Sequence, residues 1–206
     1  MNKALTIALP KGRLINDIYS FLKKAGIDFS FNGRELVCYD RTQSYKFILV
    51  KNSDLPIYVN HGIAGLGICG EDVIFESGYE FFKIFQLPLG STRMCLAGWP
   101  DSPWDRRSAI KVATKFPKFS FNYFHTRSIP VQIIKLEGSV ELAPVLGLTD
   151  YIVDLVQTGS TLEAHDLDIL EVLAEIKVFL IANPADYKVN YKQMELLAEK
   201  LLRVNI

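Results

Sequence analysis

The chain carries no net charge: 23 Lys and Arg are matched by 23 Asp and Glu in 206 residues. A surface built for nucleic acid or an anionic membrane usually carries excess Lys and Arg, so general binding of either kind is not expected. A small anionic ligand stays open, because local geometry concentrates positive potential without net charge. Glycine (13) and proline (9) are too few for a disordered or collagen-like chain, and 49% of the residues are hydrophobic. No apolar run approaches the ~20 residues that span a bilayer. The longest covers only residues 178–182. Met1-Asn2-Lys3 leads directly into a strand-like segment, without the apolar stretch and cleavage site of a signal peptide, so a cytoplasmic protein is expected. The three cysteines, Cys38, Cys69 and Cys95, have neither CxxC nor Cys/His spacing. Free thiols in a reducing compartment are expected rather than disulfides or zinc ligands. His61, His125 and His165 are far apart, and no G-x-S-x-G elbow occurs.

What is present is an alternation of strand and helix. Residues 4–9 read as a buried strand, and Leu14, Ile15, Ile18 and Leu22 follow helical spacing up to Gly26. Residues 36–39 and 45–50 read as strands joined by a polar turn. Asp54 is placed to cap a short helix with Pro56 in its first turn. A strand over 65–69, a helix over 71–76 and a strand over 92–97 complete a first series. A second series has strands over 110–114, 131–136 and 151–156, an aromatic helix over 119–125 and a helix over 140–146. Residues 168–181 read as one or two strands, and 190–204 as an amphipathic helix. Residues 87–91 and Asn183-Pro184 read as crossovers, and 99–107 as an exposed loop. The pattern predicts an α/β protein of two lobes with mainly parallel sheets. The expected first lobe is 1–90 plus 183–206, with 91–182 as the second.

Three motifs can carry chemistry. In Asp154-Leu155-Val156-Gln157-Thr158-Gly159-Ser160-Thr161-Leu162 a buried strand ends beside a carboxylate and runs into a turn of hydroxyls and glycine. Such a turn presents several amides to one point, and a helix starting at Thr161 would add its dipole. It suits a phosphate monoester on a sugar, with Asp154 accepting from ribose hydroxyls. It reads equally as an ordinary strand-to-helix cap. In Leu9-Pro10-Lys11-Gly12-Arg13-Leu14 two cations flank a glycine where the first strand meets the first helix. That loop either faces a polyphosphate or is a solvated turn. Gly65, Gly67 and Gly70 match GxGxxG in spacing but lie before and inside a strand, which is the wrong context for a dinucleotide fold. Asp72 after them either caps a helix or holds a base or a metal-bound water.

These motifs, in this order, resemble the short form of ATP phosphoribosyltransferase. The family's signature runs through Glu141, Gly147, Thr149, Ile152, Asp154, Leu155, Thr158, Gly159, Thr161 and Leu162, with Thr149 where the family has Ser, Ala or Gly. The family's L-P-K-G-R-L stands intact at residues 9–14. Residues 54–59 resemble its D-I-P-x-Y-V, and residues 62–72 its G-x-A-D-L-G-I-x-G-x-D, with Gly65 in place of the usual Asp. Residues 87–93 resemble L-P-x-G-x-x-R, ending on Arg93, and residues 113–117 resemble A-T-K-Y-P.

The resemblance implies a bilobal fold like that of type II periplasmic binding proteins. It implies transfer of a phosphoribosyl group from 5-phosphoribosyl 1-pyrophosphate to N1 of the adenine of ATP, with Mg²⁺, at the first step of histidine biosynthesis. It assigns Thr158, Gly159, Ser160 and Thr161 to the 5-phosphate and Asp154 to the ribose hydroxyls. Lys11, Gly12, Arg13 and Arg93 are assigned to ATP or pyrophosphate. Asp72 would position adenine or magnesium, and Glu141 would support the site. The long form's histidine-binding domain is expected to be missing. A partner resembling a histidyl-tRNA synthetase is expected to complete a regulated hetero-oligomer. The rival reading is a non-catalytic bilobal binder or sensor of small molecules, since fold alone does not decide chemistry.

Overall fold

A computed structural model describes residues 4–102, 104, 105 and 108–205. Pro103, Arg106 and Arg107, part of the expected loop over 99–107, lie outside the described residues. The chain divides into two compact units, Met1–Gly90 with Lys177–Ile206, and Ser91–Ile176.

In the first unit the strands β1 (Leu5–Pro10), β2 (Val37–Tyr39), β3 (Tyr45–Val50) and β4 (Leu66–Gly70) stand in the order β2-β3-β1-β4. β1 is parallel to both β3 and β4. Its sequence shows why both faces are covered. Leu5, Ile7 and Leu9 enter one core with Ile18 and Leu22 of α1 (Leu14–Lys24), while Ala8 enters another with Leu55 and Val59 of α2 (Leu55–Asn60). Continuous apolar strands of this kind belong to sheets buried on both sides. A 3₁₀ turn, Asn52–Asp54, precedes α2, and Asp54 makes no side-chain cap, contrary to expectation. After α3 (Glu71–Ser77) comes β5 (Phe82–Gly98).

β5 is far longer than the strand expected over 92–97. It runs through Pro88 and Gly90, which had marked a crossover. Gly90 has φ +72°, and a Cβ there would meet Val178 Cγ2 at 2.7 Å and Leu14 Cδ1 at 3.0 Å. The glycine thus serves close packing inside a strand rather than ending one.

In the second unit β6 (Ile110–Thr114), β7 (Val131–Lys135) and β8 (Tyr151–Val156) follow β5 in the order β5-β8-β6-β7. β6 is parallel to β7 and β8, and β5 is antiparallel to β8. Val153 and Tyr151 face Tyr123 and Phe124 of α4 (Pro117–His125). Ile152 and Val156 face Ala143 of α5 (Leu142–Val145) and Leu162 of α6 (Ser160–Glu163). β9 (Asp168–Ala182) is one strand and pairs antiparallel with β4. The two long strands, β5 and β9, carry the chain between the units; each pairs antiparallel with a neighbour, β5 with β8 and β9 with β4, as β2 does with β3 at the sheet's end. The unit boundary therefore falls inside β9, at 176/177, and not after residue 182.

The last helix, α7 (Pro184–Leu202), starts six residues before the expected position and is kinked at Asn190. Asn183 and Pro184 are its N-cap and first residue, not a crossover. The Asn183 carboxamide accepts the Ala185 amide at 2.8 Å and donates to the Asn60 carbonyl at 2.7 Å. Met194, Leu197 and Leu201 bury α7 in the β1 core. Among the described residues no helix is long and apolar enough to cross a membrane.

Candidate functional site

β8 delivers Asp154 two residues before its end, half-buried. The Leu155 amide donates to Asp154 Oδ1 at 2.8 Å. The pairing of β5 with β8 sets Cys95 opposite Asp154 and Arg93 opposite Val156. Residues two apart on a strand share a face, so Arg93, Cys95, Asp154 and Val156 lie on one side of the sheet. Cys95 is fully buried. Burial pushes its thiol up, the Arg93 guanidinium opposes that shift, and Glu175 adds to it. The thiol is therefore a packed neutral group.

Beyond β8 the chain turns through Gln157 and Thr158 to Gly159, whose φ of +91° is a conformation that side-chain-bearing residues rarely adopt. The Thr158 and Ser160 hydroxyls lie 3.1 Å apart, and the Ser160 amide points to Thr158 Oγ1 at 3.5 Å. The Gly159 carbonyl accepts the Leu162 and Glu163 amides, which leaves the Ser160 and Thr161 amides ahead of the first intrahelical bond. Thr158, Ser160 and Thr161 are exposed. The helix begins at Ser160, one residue earlier than expected, and has only four residues. A single turn has little macrodipole. The turn's capacity for an anion thus rests on its amides and hydroxyls.

Glu141 is the N-cap residue of α5, which packs on β8, but its side chain makes no cap. Among the described residues no hydrogen bond ties it to the turn. Thr149, the departure from the family signature, is buried, and its hydroxyl donates to the Tyr151 carbonyl at 3.0 Å. Its oxygen is satisfied where a serine's would be.

In the first unit Lys11, Gly12 and Arg13 occupy the exposed loop after β1. The Lys11 amide donates to the Val50 carbonyl at 2.7 Å, which extends the β1–β3 pairing and sets Lys51 alongside Lys11. Asp72 is not the N-cap of α3; Gly70 is, and Asp72 sits in the first turn, 4% exposed. Burial raises its carboxyl to about 6, against the amides of Val73 and its own residue, with Glu76 and Glu71 adding repulsion. Gly65 lies where a Cβ would come within 3.2 Å of Met194 Cε and 3.9 Å of Asp186 Oδ2. An aspartate here would face both the thioether and a like charge.

The structure thus groups Arg93, Asp154 and residues 158–161 at the carboxyl end of β8, and Lys11, Gly12 and Arg13 at the end of β1. Sequence reasoning assigned no role to Lys51, or to Lys115 within the 113–117 match; strand register sets Lys51 beside Lys11 and Lys115 beside Asp154. Among the described residues no three His, Cys, Asp or Glu side chains form a metal-ligand group. Asp154 and the turn hydroxyls are hard oxygen donors. They suit Mg²⁺ that keeps water and substrate phosphate oxygens as its other ligands.

A model of the ATP phosphoribosyltransferase family matches residues 51–203. A protein of that name from Listeria innocua is 45% identical over 203 residues, covering 97% of this chain and 95% of its own length. The chain belongs to the ATP phosphoribosyltransferase family. The namesake from Clostridioides difficile is 41% identical, with 93% of each chain covered. Among solved structures, the ATP phosphoribosyl transferase (HisG:HisZ) complex from Thermotoga maritima superposes with a TM-score of 0.83 at 34% identity, covering 97% of this chain and 98% of that one. The VFT2 domain of Bordetella pertussis BvgS matches in fold alone, with a TM-score of 0.63 at 15% identity, covering 98% and 88%. As an ATP phosphoribosyltransferase family member the chain is a transferase of histidine biosynthesis, built on the two-lobed α/β fold of periplasmic binding proteins.

Proposed function

We propose that the chain joins N1 of the adenine of ATP to C1 of 5-phosphoribosyl 1-pyrophosphate, releasing pyrophosphate and giving 1-(5-phosphoribosyl)-ATP. The observation that carries this reading is the turn after β8, with hydroxyls and backbone amides at 158–161 ahead of the first intrahelical bond and a carboxylate at the strand end. Thr158, Gly159, Ser160 and Thr161 bind the 5-phosphate, and Asp154 accepts from the ribose hydroxyls. Breaking the anomeric C–O bond develops positive charge on the ribose ring and negative charge on pyrophosphate. The Asp154 carboxylate favours the first. Lys11, Arg13 and Arg93 favour the second, or hold the ATP triphosphate, with the Gly12 backbone between the first two. Mg²⁺ would be held mainly by phosphate oxygens and water, and would supply charge neutralisation at the leaving group. N1 of adenine carries no proton, so no strong general base is required at the attacking atom. Asp72 positions adenine or the metal, and Glu141 supports the turn.

A regulatory subunit resembling a histidyl-tRNA synthetase completes a hetero-oligomer. The Thermotoga maritima complex supports that reading. The reaction takes place in the cytoplasm. The match to enzymes over nearly their whole length disfavours a non-catalytic binder or sensor. The test is pyrophosphate release from ATP, phosphoribosyl pyrophosphate and Mg²⁺, with and without the partner. Absence of release in both mixtures sinks the proposal.

A further inference from the structure

The turn at 157–161 contains no Lys or Arg. A phosphate monoester nevertheless carries ~1.5 to 2 negative charges at neutral pH. The strand order shows where compensation comes from. β8 stands between β5 and β6. On the β5 side, Arg93 is the direct partner of Val156, the last residue before the turn. On the β6 side, Thr114 is level with Val153, which sets Lys115 at the register position of Asp154.

Lys115 is held there firmly. Thr114 is fully buried, and its hydroxyl donates to the Val153 carbonyl at 2.6 Å and accepts the Phe116 amide at 2.9 Å. Its carbonyl accepts the Leu136 amide at 3.0 Å. The backbone on both sides of Lys115 is therefore tied down, by β8, by β7 and by the start of α4. Lys115 itself is exposed, and among the described residues it forms no ion pair. An ammonium on a four-carbon stem at this position reaches an anion seated in the neighbouring turn as a point charge.

The geometry points to Lys115 as a ligand of the monoester phosphate in the turn after β8, on the flank opposite Arg93. This inference rests on the reading of that turn as the 5-phosphate site. Its chemistry is recognition of a sugar 5-phosphate, distinct from the pyrophosphate on C1.

Calorimetry with ribose 5-phosphate, which has the monoester and no pyrophosphate, separates the possibilities. It is run on the wild-type chain, with its partner subunit if required, and on Lys115→Gln, Lys115→Arg and Thr161→Val. The expected result is wild-type binding, weakened about tenfold in Lys115→Gln by loss of a charge-assisted contact and largely retained in Lys115→Arg. Affinity for inorganic pyrophosphate is expected to stay unchanged. Equal binding by wild type and Lys115→Gln, alongside weakened binding by Thr161→Val, overturns the role of Lys115 and leaves the turn's role intact. A larger loss for pyrophosphate than for ribose 5-phosphate assigns the lysine to the leaving group and also overturns the inference. No wild-type binding of ribose 5-phosphate removes the 5-phosphate site itself, and this inference with it.

Discussion

Cys95 and Asp154 stand opposite each other across the antiparallel pairing of β5 and β8. One is a fully buried thiol and the other a half-buried carboxylate at the mouth of the turn. The pairing explains how a carboxylate is held steady at a strand end. Its cross-strand neighbour is packed among Ala97, Ile152 and Val156, so the backbone beneath it cannot shift freely.

Asp154→Ala is expected to lower kcat by about a hundredfold or more, the scale of losing an electrostatic contact made in the transition state. Circular dichroism and the melting temperature are expected to stay near wild type, because the side chain is outside the buried clusters. Near-normal turnover refutes its role at the ribose.

Thr161→Val removes one hydroxyl while keeping the shape. The apparent KM for phosphoribosyl pyrophosphate is expected to rise about tenfold and that for ATP to change little. Steady-state kinetics with each substrate varied checks this, and equal effects on both contradict the assignment.

Asp72 gives stability a defined pH dependence. Its carboxyl is raised from 3.8 to about 6 by burial. Below about pH 4 it is protonated in both folded and unfolded chains. Between pH 4 and 6 the unfolded chain gives up the proton first, so stability falls as pH rises. Above about 6 the folded protein carries the buried charge, at a cost on the order of 3 kcal/mol. Asp72→Asn is expected to raise the Tm relative to wild type at pH 7.5, with the difference shrinking toward pH 4. A constant difference across that range rules out the buried-charge account.

Asn183→Ala deletes the N-cap of α7 and the side chain's bonds to Val59 and Asn60. A loss of about 1–2 kcal/mol is expected in urea unfolding, typical of a cap substitution. No change in midpoint means that Pro184 and apolar packing hold the helix start without it.

Much of the site was legible because it is contiguous. Strand β8 has the expected bounds, since an apolar run flanked by turn residues permits little else. The residues from Asp154 to Thr161 follow it in an unbroken line. Local spacing also placed α1, β3, β6 and the Pro56 helix to within a residue or two. The misreadings fall where local signals have two uses. Pro88 and Gly90 mark a turn in most sequences, yet β5 runs through both, because Val178 and Leu14 press against Gly90 and leave no room for a side chain. Asn183-Pro184 is both a loop dipeptide and a helix start, and the Asn183 side chain makes it the second by capping the Ala185 amide while it is held on the Val59 and Asn60 carbonyls.

The alternation of apolar runs and turn residues was enough to specify an α/β chain and to write the hydroxyl-rich turn with its carboxylate, since both depend on neighbours in sequence. Which cations flank that turn, how deeply Asp72 is buried, and where β5 and β9 change units depended on pairing between residues tens of positions apart. Side-chain spacing along one strand says nothing of the register its partner adopts, and burial belongs to the packed chain as a whole.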